Sequence, residues 1–93
     1  MDPNQQQDRM LCEHALELHR KIEAAIERGS GGYAKEKLAE LRSFLKNQTQ
    51  HSAFRSANSY LPRASTNTYD WKSDLTQSRG YLETYLCELE RKS

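Results

Sequence analysis

The sequence predicts an all-α protein: an antiparallel helical hairpin followed by a third, C-terminal helix, with two chains pairing into a four-helix-bundle-like core. Three observations predict it. Apolar residues recur at spacings of three and four in three separate stretches, as buried helical stripes do. The stretches are divided by Gly29-Ser30-Gly31-Gly32 and by Pro62, and no segment carries a strand pattern. Only 35% of the 93 residues are apolar. A domain this small already buries a modest share of its surface, so a partner chain is expected to help close the core, which makes a homodimer the predicted state.

The elements follow in order within one domain spanning residues 1–93. The first helix is predicted over about residues 3–28, with Asp2 as N-cap and Pro3 in the first helical position. Leu11, Ala15, Leu18, Ile22 and Ala25 form its apolar stripe, while Glu13, Glu17, Arg20 and Lys21 are spaced for ion pairs on a solvated face. Glycine takes the left-handed conformation without strain, so the helix should end at Gly29. The short loop there favours an antiparallel neighbour. The second helix is predicted over about residues 33–60, its first half striped by Ala34, Leu38, Leu41 and Leu45. Pro62 stops it, since the residue before a proline disfavours helix. A polar linker covers residues 62–68. The third helix is predicted over about residues 70–91, capped by Thr68 or Asn67 and lined by Trp71, Leu75, Leu82, Leu86 and Leu89, with Gly80 a possible bend.

Composition and motif narrow the function classes. No apolar run approaches the roughly 20 residues of a membrane span, and residues 1–8 lack the apolar region of a signal peptide. A cytoplasmic location is therefore expected, with reduced cysteines. Cys12 and Cys87 lie far apart and neither has a nearby second ligand, so no zinc site is expected. His14, His19 and His51 are scattered. Cys12 and His14 are close, but a nucleophile and its base need a pocket and an orienting third group. Gly31-Gly32 has no following Lys-Ser/Thr step that would make a phosphate-binding loop. The sequence accordingly predicts a binding module, not an enzyme, with no cofactor, no metal and no small-molecule ligand.

Two features of the second predicted helix carry the functional reading. The first is charge: net charge is only +1, yet no acid occurs between Glu40 and Asp70, where Arg42, Lys46, Arg55 and Arg63 stand with His51 among them. The second is a change of face. At about 100° per residue, Ala53, Phe54, Ala57 and Leu61 lie on a different side from Leu38, Leu41 and Leu45. The polar run Lys46–Ser52 separates the two stripes, so the two halves should pack against different neighbours. On the exposed side of the second half, His51, Ser52, Arg55, Asn58 and Ser59 share helical spacing. A planar guanidinium among small hydrogen-bonding groups suits phosphate and ribose 2′-hydroxyl contacts.

The segment Ala53-Phe54-Arg55-Ser56-Ala57-Asn58-Ser59-Tyr60-Leu61-Pro62-Arg63 resembles the end of the second helix in the nodavirus RNA-silencing suppressor family: an aromatic and an arginine, small residues, then Asn-Ser, a leucine and a proline-basic step. The remainder of the chain resembles that family in layout only. Two departures stand out: Pro62 follows Leu61 without a spacer, and the third segment is long and aromatic, with Tyr69, Trp71, Tyr81 and Tyr85. The resemblance implies a homodimer whose four-helix bundle lies along double-stranded RNA, touching backbone and 2′-hydroxyls and reading A-form shape, not sequence. It implies suppression of silencing, by shielding long duplexes from dicing and sequestering short ones in a host cell cytoplasm. Arg55 is then the leading RNA-contacting cation and Arg63 the next. Arg42 and Lys46 follow on charge and position, and His51, Ser52, Asn58 and Ser59 as backbone or ribose contacts. The alternative from composition alone is a helical adaptor that binds another protein through its apolar stripes.

Overall fold

A computed structural model describes residues 3–63 and 65–91. It contains α1 (Pro3–Glu27), α2 (Gly31–Lys46), α3 (Ser52–Ser59), a 3₁₀ turn (Thr68–Asp70) and α4 (Trp71–Arg91). The all-α class predicted from the sequence holds. Asp2, the predicted N-cap, lies outside the described residues, as does Ala64 in the linker.

α1 ends where the sequence places its stop, and the reason is visible in the backbone. Gly29 has φ +76°. Its N–H donates to the carbonyl of Ile26, and the Ser30 N–H to that of Ala25 at 2.8 Å. This pair of bonds is the Schellman arrangement, which satisfies carbonyls the helix would otherwise leave open. The loop is shorter than predicted. Ser30 supplies the first acceptor of α2 to Ala34 at 3.0 Å, so Gly31 and Gly32 belong to the first turn of α2. Amides in a first turn have no partner within the helix.

The continuous second helix over residues 33–60 is corrected by the structure: α2 stops at Lys46 and α3 starts at Ser52. Two apolar stripes on different faces cannot both be buried by one straight rod, and the intervening Asn47, Thr49 and His51 are poor helix formers. The break lets the chain reverse. His51 takes extended dihedrals (φ −146°, ψ 145°) and caps α3, its Nδ1 accepting the Ala53 N–H at 3.0 Å. Phe54 and Ala57 then turn fully inward, with Ala53 and Leu61 nearly so.

The reversal determines the architecture. α1 packs against α2 and α4, and α3 packs against the same two, closing a ring of four helices. Cross-links show the directions. Near one end, Tyr85 Oη donates to the Asp8 carboxylate; farther along, His19 meets Ser78 and Glu23 meets Arg79, so α1 and α4 are antiparallel. Arg42 of α2 reaches the carbonyl of Pro62 beyond α3, so α3 runs back along α2. Four helices thus surround one core within a chain of 40 × 21 × 18 Å.

The core holds Cys12, Ala15, Leu18, Ile22 and Ala25 of α1, the four predicted residues of α2, the α3 set, and Trp71, Leu75, Leu82, Tyr85 and Leu89 of α4. Leu11 and Leu86, assigned to the stripes, are only partly buried. Trp71 is fully enclosed and its Nε1 donates to Thr66 Oγ1 at 2.9 Å, satisfying the one polar atom of the ring. Asn67, one of the two predicted caps, accepts the Tyr69 N–H at 3.0 Å, and α4 runs through Gly80 uninterrupted.

Two polar residues also lie at zero exposure, His19 and Ser78. His19 Nε2 stands 3.1 Å from Ser78 Oγ, and Ser78 Oγ donates to the Ala57 carbonyl at 2.7 Å. The serine hydrogen is committed to that carbonyl, so the imidazole must donate from Nε2. Its Nδ1 is buried without a partner. Burial, and then the nearby Arg79 charge, push the His19 pKa down to about 4. One neutral imidazole therefore ties α1, α4 and α3 together.

Candidate nucleic-acid interface

The sequence-predicted site residues divide by the edge of α3 on which they fall. Ala53, Phe54, Ala57 and Leu61 face the core. Tyr60 and Ser56 turn toward α4: Tyr60 stacks on Tyr81 with ring centres 5.3 Å apart, and Ser56 lines a groove with Gln77, Gly80 and Tyr81. By helical geometry Asn58 then lies on the opposite edge, toward α2, with Arg55 between it and the crest. Ser52, Arg55 and Ser59 are exposed along the crest between the two edges.

On α2, Arg42 and Lys46 share an edge one turn apart. The bond from Arg42 to the Pro62 carbonyl, 2.6 Å long, sets that edge beside α3. Arg63 follows Pro62 and is exposed. Helical geometry thus places Arg42 and Lys46 on the edge of α2 that neighbours α3, with Arg55 near the crest of α3 and Arg63 exposed just past Pro62. Arg42 is half-buried and uses part of its guanidinium structurally.

A fifth cation belongs with these and was missed in the sequence. Lys35 is exposed and lies 7 and 11 positions before Arg42 and Lys46, spacings that return to the same helix edge. Its neighbours Glu36 and Glu40 concealed it in a mixed-charge window. On the helix both are displaced by about 100° or more from the basic edge, and Glu40 is paired with Lys37 at 3.0 Å. The spacing from Lys35 to Arg42 and Lys46 was the available signal. From Lys35 to Lys46 the edge runs about 16 Å.

The ion pairs among the described residues engage Arg9, Lys37 and Arg79. Lys35, Lys46, Arg55 and Arg63 have no ion-pair partner among those residues. Ser59 Oγ donates to the Arg55 carbonyl at 3.0 Å and keeps its lone pairs outward. Asn58 Oδ1 is shielded and has no hydrogen-bond partner among the described residues.

His51 does not join this surface. Its Nδ1 is occupied by the cap of α3 and its ring stacks on Tyr85, with centres 3.7 Å apart and planes 9° from parallel. Tyr85 meets Phe54 edge-on at 5.8 Å. Ser52 is exposed but borders the groove toward α4 and lies away from the α2 side.

Cys12 and His14 have separate surroundings. Both cysteines are free thiols, and burial, with Asp8 and Glu13 nearby, pushes Cys12 up to about 12, far from a reactive thiolate. His14, its neighbour in sequence, packs edge-on against Phe44 at 4.7 Å. No group of three metal-ligating side chains occurs among the described residues. No helix among them is long and apolar enough to cross a membrane.

Comparison with known protein families, with curated proteins and with solved structures found no match to this chain.

Proposed function

We propose that this protein binds double-stranded RNA through the basic edge formed by α2, α3 and the start of the linker, without reading sequence. One observation carries the reading: Lys35, Lys46, Arg55 and Arg63 are exposed and have no ion-pair partner among the described residues, while the acids Glu13, Glu23, Glu40 and Glu83 are paired with other cations. Cations without internal partners are available to phosphates, and releasing the counterions of the duplex drives such binding. Ser59, one turn from Arg55, adds a small hydroxyl suited to a ribose 2′-hydroxyl in the shallow minor groove of an A-form helix. In the resemblance to the nodavirus suppressors, Arg55 and Arg63 hold the same places. Shielding duplexes from dicing would follow from coating them. A homodimer, as the resemblance implies, would double the edge.

The test is a mobility-shift titration with blunt duplex RNA, single-stranded RNA and duplex DNA of one sequence at two salt concentrations. Four phosphate contacts predict that log affinity falls against log salt with a slope of about −3 to −4. Arg55→Ala and Arg63→Ala should each weaken binding across sequences and reduce that slope by about 1. Absence of binding to duplex RNA, or affinity indifferent to salt and to Arg55, refutes the proposal.

A further inference from the structure

The opposite edge of α3 carries a second surface. Between α3 and α4 runs a groove of about 540 Å³. Its ends are aromatic: the His51–Tyr85 stack at one, the Tyr60–Tyr81 stack at the other. Tyr81 and Tyr85 are one helical turn apart, about 6 Å along the axis. Between them the lining is small or polar: Ser56 on α3, and Gln77, Gly80 and Thr84 on α4.

Gly80 is the informative residue. Glycine inside a helix costs about 1 kcal/mol relative to alanine, so its presence needs a reason. Backbone conformation supplies none, since its φ is not positive. Packing supplies none either: a Cβ built there meets nothing within 4 Å. The fold tolerates a side chain at 80, but the groove would be filled by one. Glycine in such a place lets a flat ligand approach the backbone closely.

We infer that the α3–α4 groove receives one unpaired nucleobase of an RNA strand whose backbone rests on the crest of α3. This rests on the reading of α2 and α3 as the duplex-binding edge. A base fits the chemistry: the exposed Tyr81 ring to stack on at one end, hydroxyls and the Gln77 amide for its edge, and a floor without bulk. A phosphate does not, because the one charged residue lining the groove is Glu88. Ser52 lines the groove while Arg55 and Ser59 are exposed on the crest beside it, so a strand held on the crest runs alongside the groove. The protein would then hold a duplex with a single-stranded overhang more tightly than a blunt one.

The experiment compares blunt RNA duplexes with the same duplexes bearing two-nucleotide 3′ overhangs, for the unaltered protein, Gly80→Leu and Tyr81→Ala. One stacked base should raise affinity for the overhang form about fivefold or more. Gly80→Leu, which favours helix, should abolish that gain while leaving blunt-duplex affinity within about twofold and the melting temperature undiminished. Tyr81→Ala should reduce the gain in the same way. A parallel titration with adenosine, followed through the amide resonances of Gly80 and Tyr81, reads the groove without any duplex. Equal affinity for both duplex forms, together with unmoved resonances at millimolar adenosine, overturns the inference even if blunt duplexes bind well. Failure of blunt duplexes alone, with adenosine shifting Gly80, would instead remove the duplex-binding reading and keep the groove.

Discussion

Acidification should loosen this protein through one residue, His19. In the folded chain its imidazole is fully enclosed, donates to Ser78 Oγ and has no acceptor for a proton on Nδ1. Its pKa stands near 4 against an ordinary 6.5. The unfolded chain therefore takes up a proton as pH falls through 6.5, and the folded chain does so only near 4. Between those values the unfolded state binds more protons, so stability is complete above about 6.5 and declines as pH falls. At 1.36 kcal/mol per unit the full loss is about 3 kcal/mol, of which about 2 kcal/mol is reached by pH 5. Small domains have only about 5–15 kcal/mol in total. Urea unfolding at pH 7.5 and pH 5, followed by helical circular dichroism, measures it. The comparison is with His19→Leu, which keeps the bond from Ser78 to the Ala57 carbonyl and cannot titrate. Other groups contribute alike to both proteins, so the difference in pH dependence isolates His19. Equal losses in the two proteins would refute the assignment of a buried neutral imidazole.

Three further outcomes are expected. Gly29→Ala should destabilise the fold by about 1–2 kcal/mol, the cost of holding a residue with a Cβ in the left-handed region; an unchanged urea midpoint would mean α1 ends by another route. Lys35→Ala should weaken duplex RNA binding and lower its salt slope by about 1 while Lys37→Ala, whose charge is paired with Glu40, changes the slope less; the reverse order would displace the interface from the α2 edge. Because the four-helix core closes within one chain, the thermal midpoint should not move over a hundredfold range of protein concentration. A midpoint that rises with concentration would show that two chains share their core, as an obligate dimer requires.

Much of the fold is legible in the sequence, because local chemistry decides it. Gly29 and Asn67 act through their own backbone and side chain, and both act where their residue types imply. The apolar stripes of α1, α2 and α4 are legible for the same reason, with exceptions that have a common cause. A count of apolar residues cannot find His19 and Ser78, which are buried because each satisfies the other. It overrates Leu11 and Leu86, whose positions at the margin of a stripe leave them half-covered. The break at residues 47–51 lacks glycine and proline and has no strong local signal. What the sequence does show there is the conflict between two faces, and only the closure of a four-membered ring tells that the conflict ends in a reversal of the chain. At the candidate site, Arg55 and Arg63 were readable as exposed cations. The diversion of His51 into a cap and a stack was not, since it depends on Tyr85, which is distant in sequence. Lys35 was hidden by acids adjacent along the chain but displaced around the helix.

The brevity of α3 has a consequence for hydrogen exchange. Eight residues are too few to persist as a helix in water once released from their neighbours. α3 therefore cannot swing out as an intact arm; when its contacts with α2 and α4 are lost, its shape goes with them. Its amides should exchange through one shared opening, and a ligand gripping its crest should slow all of them together.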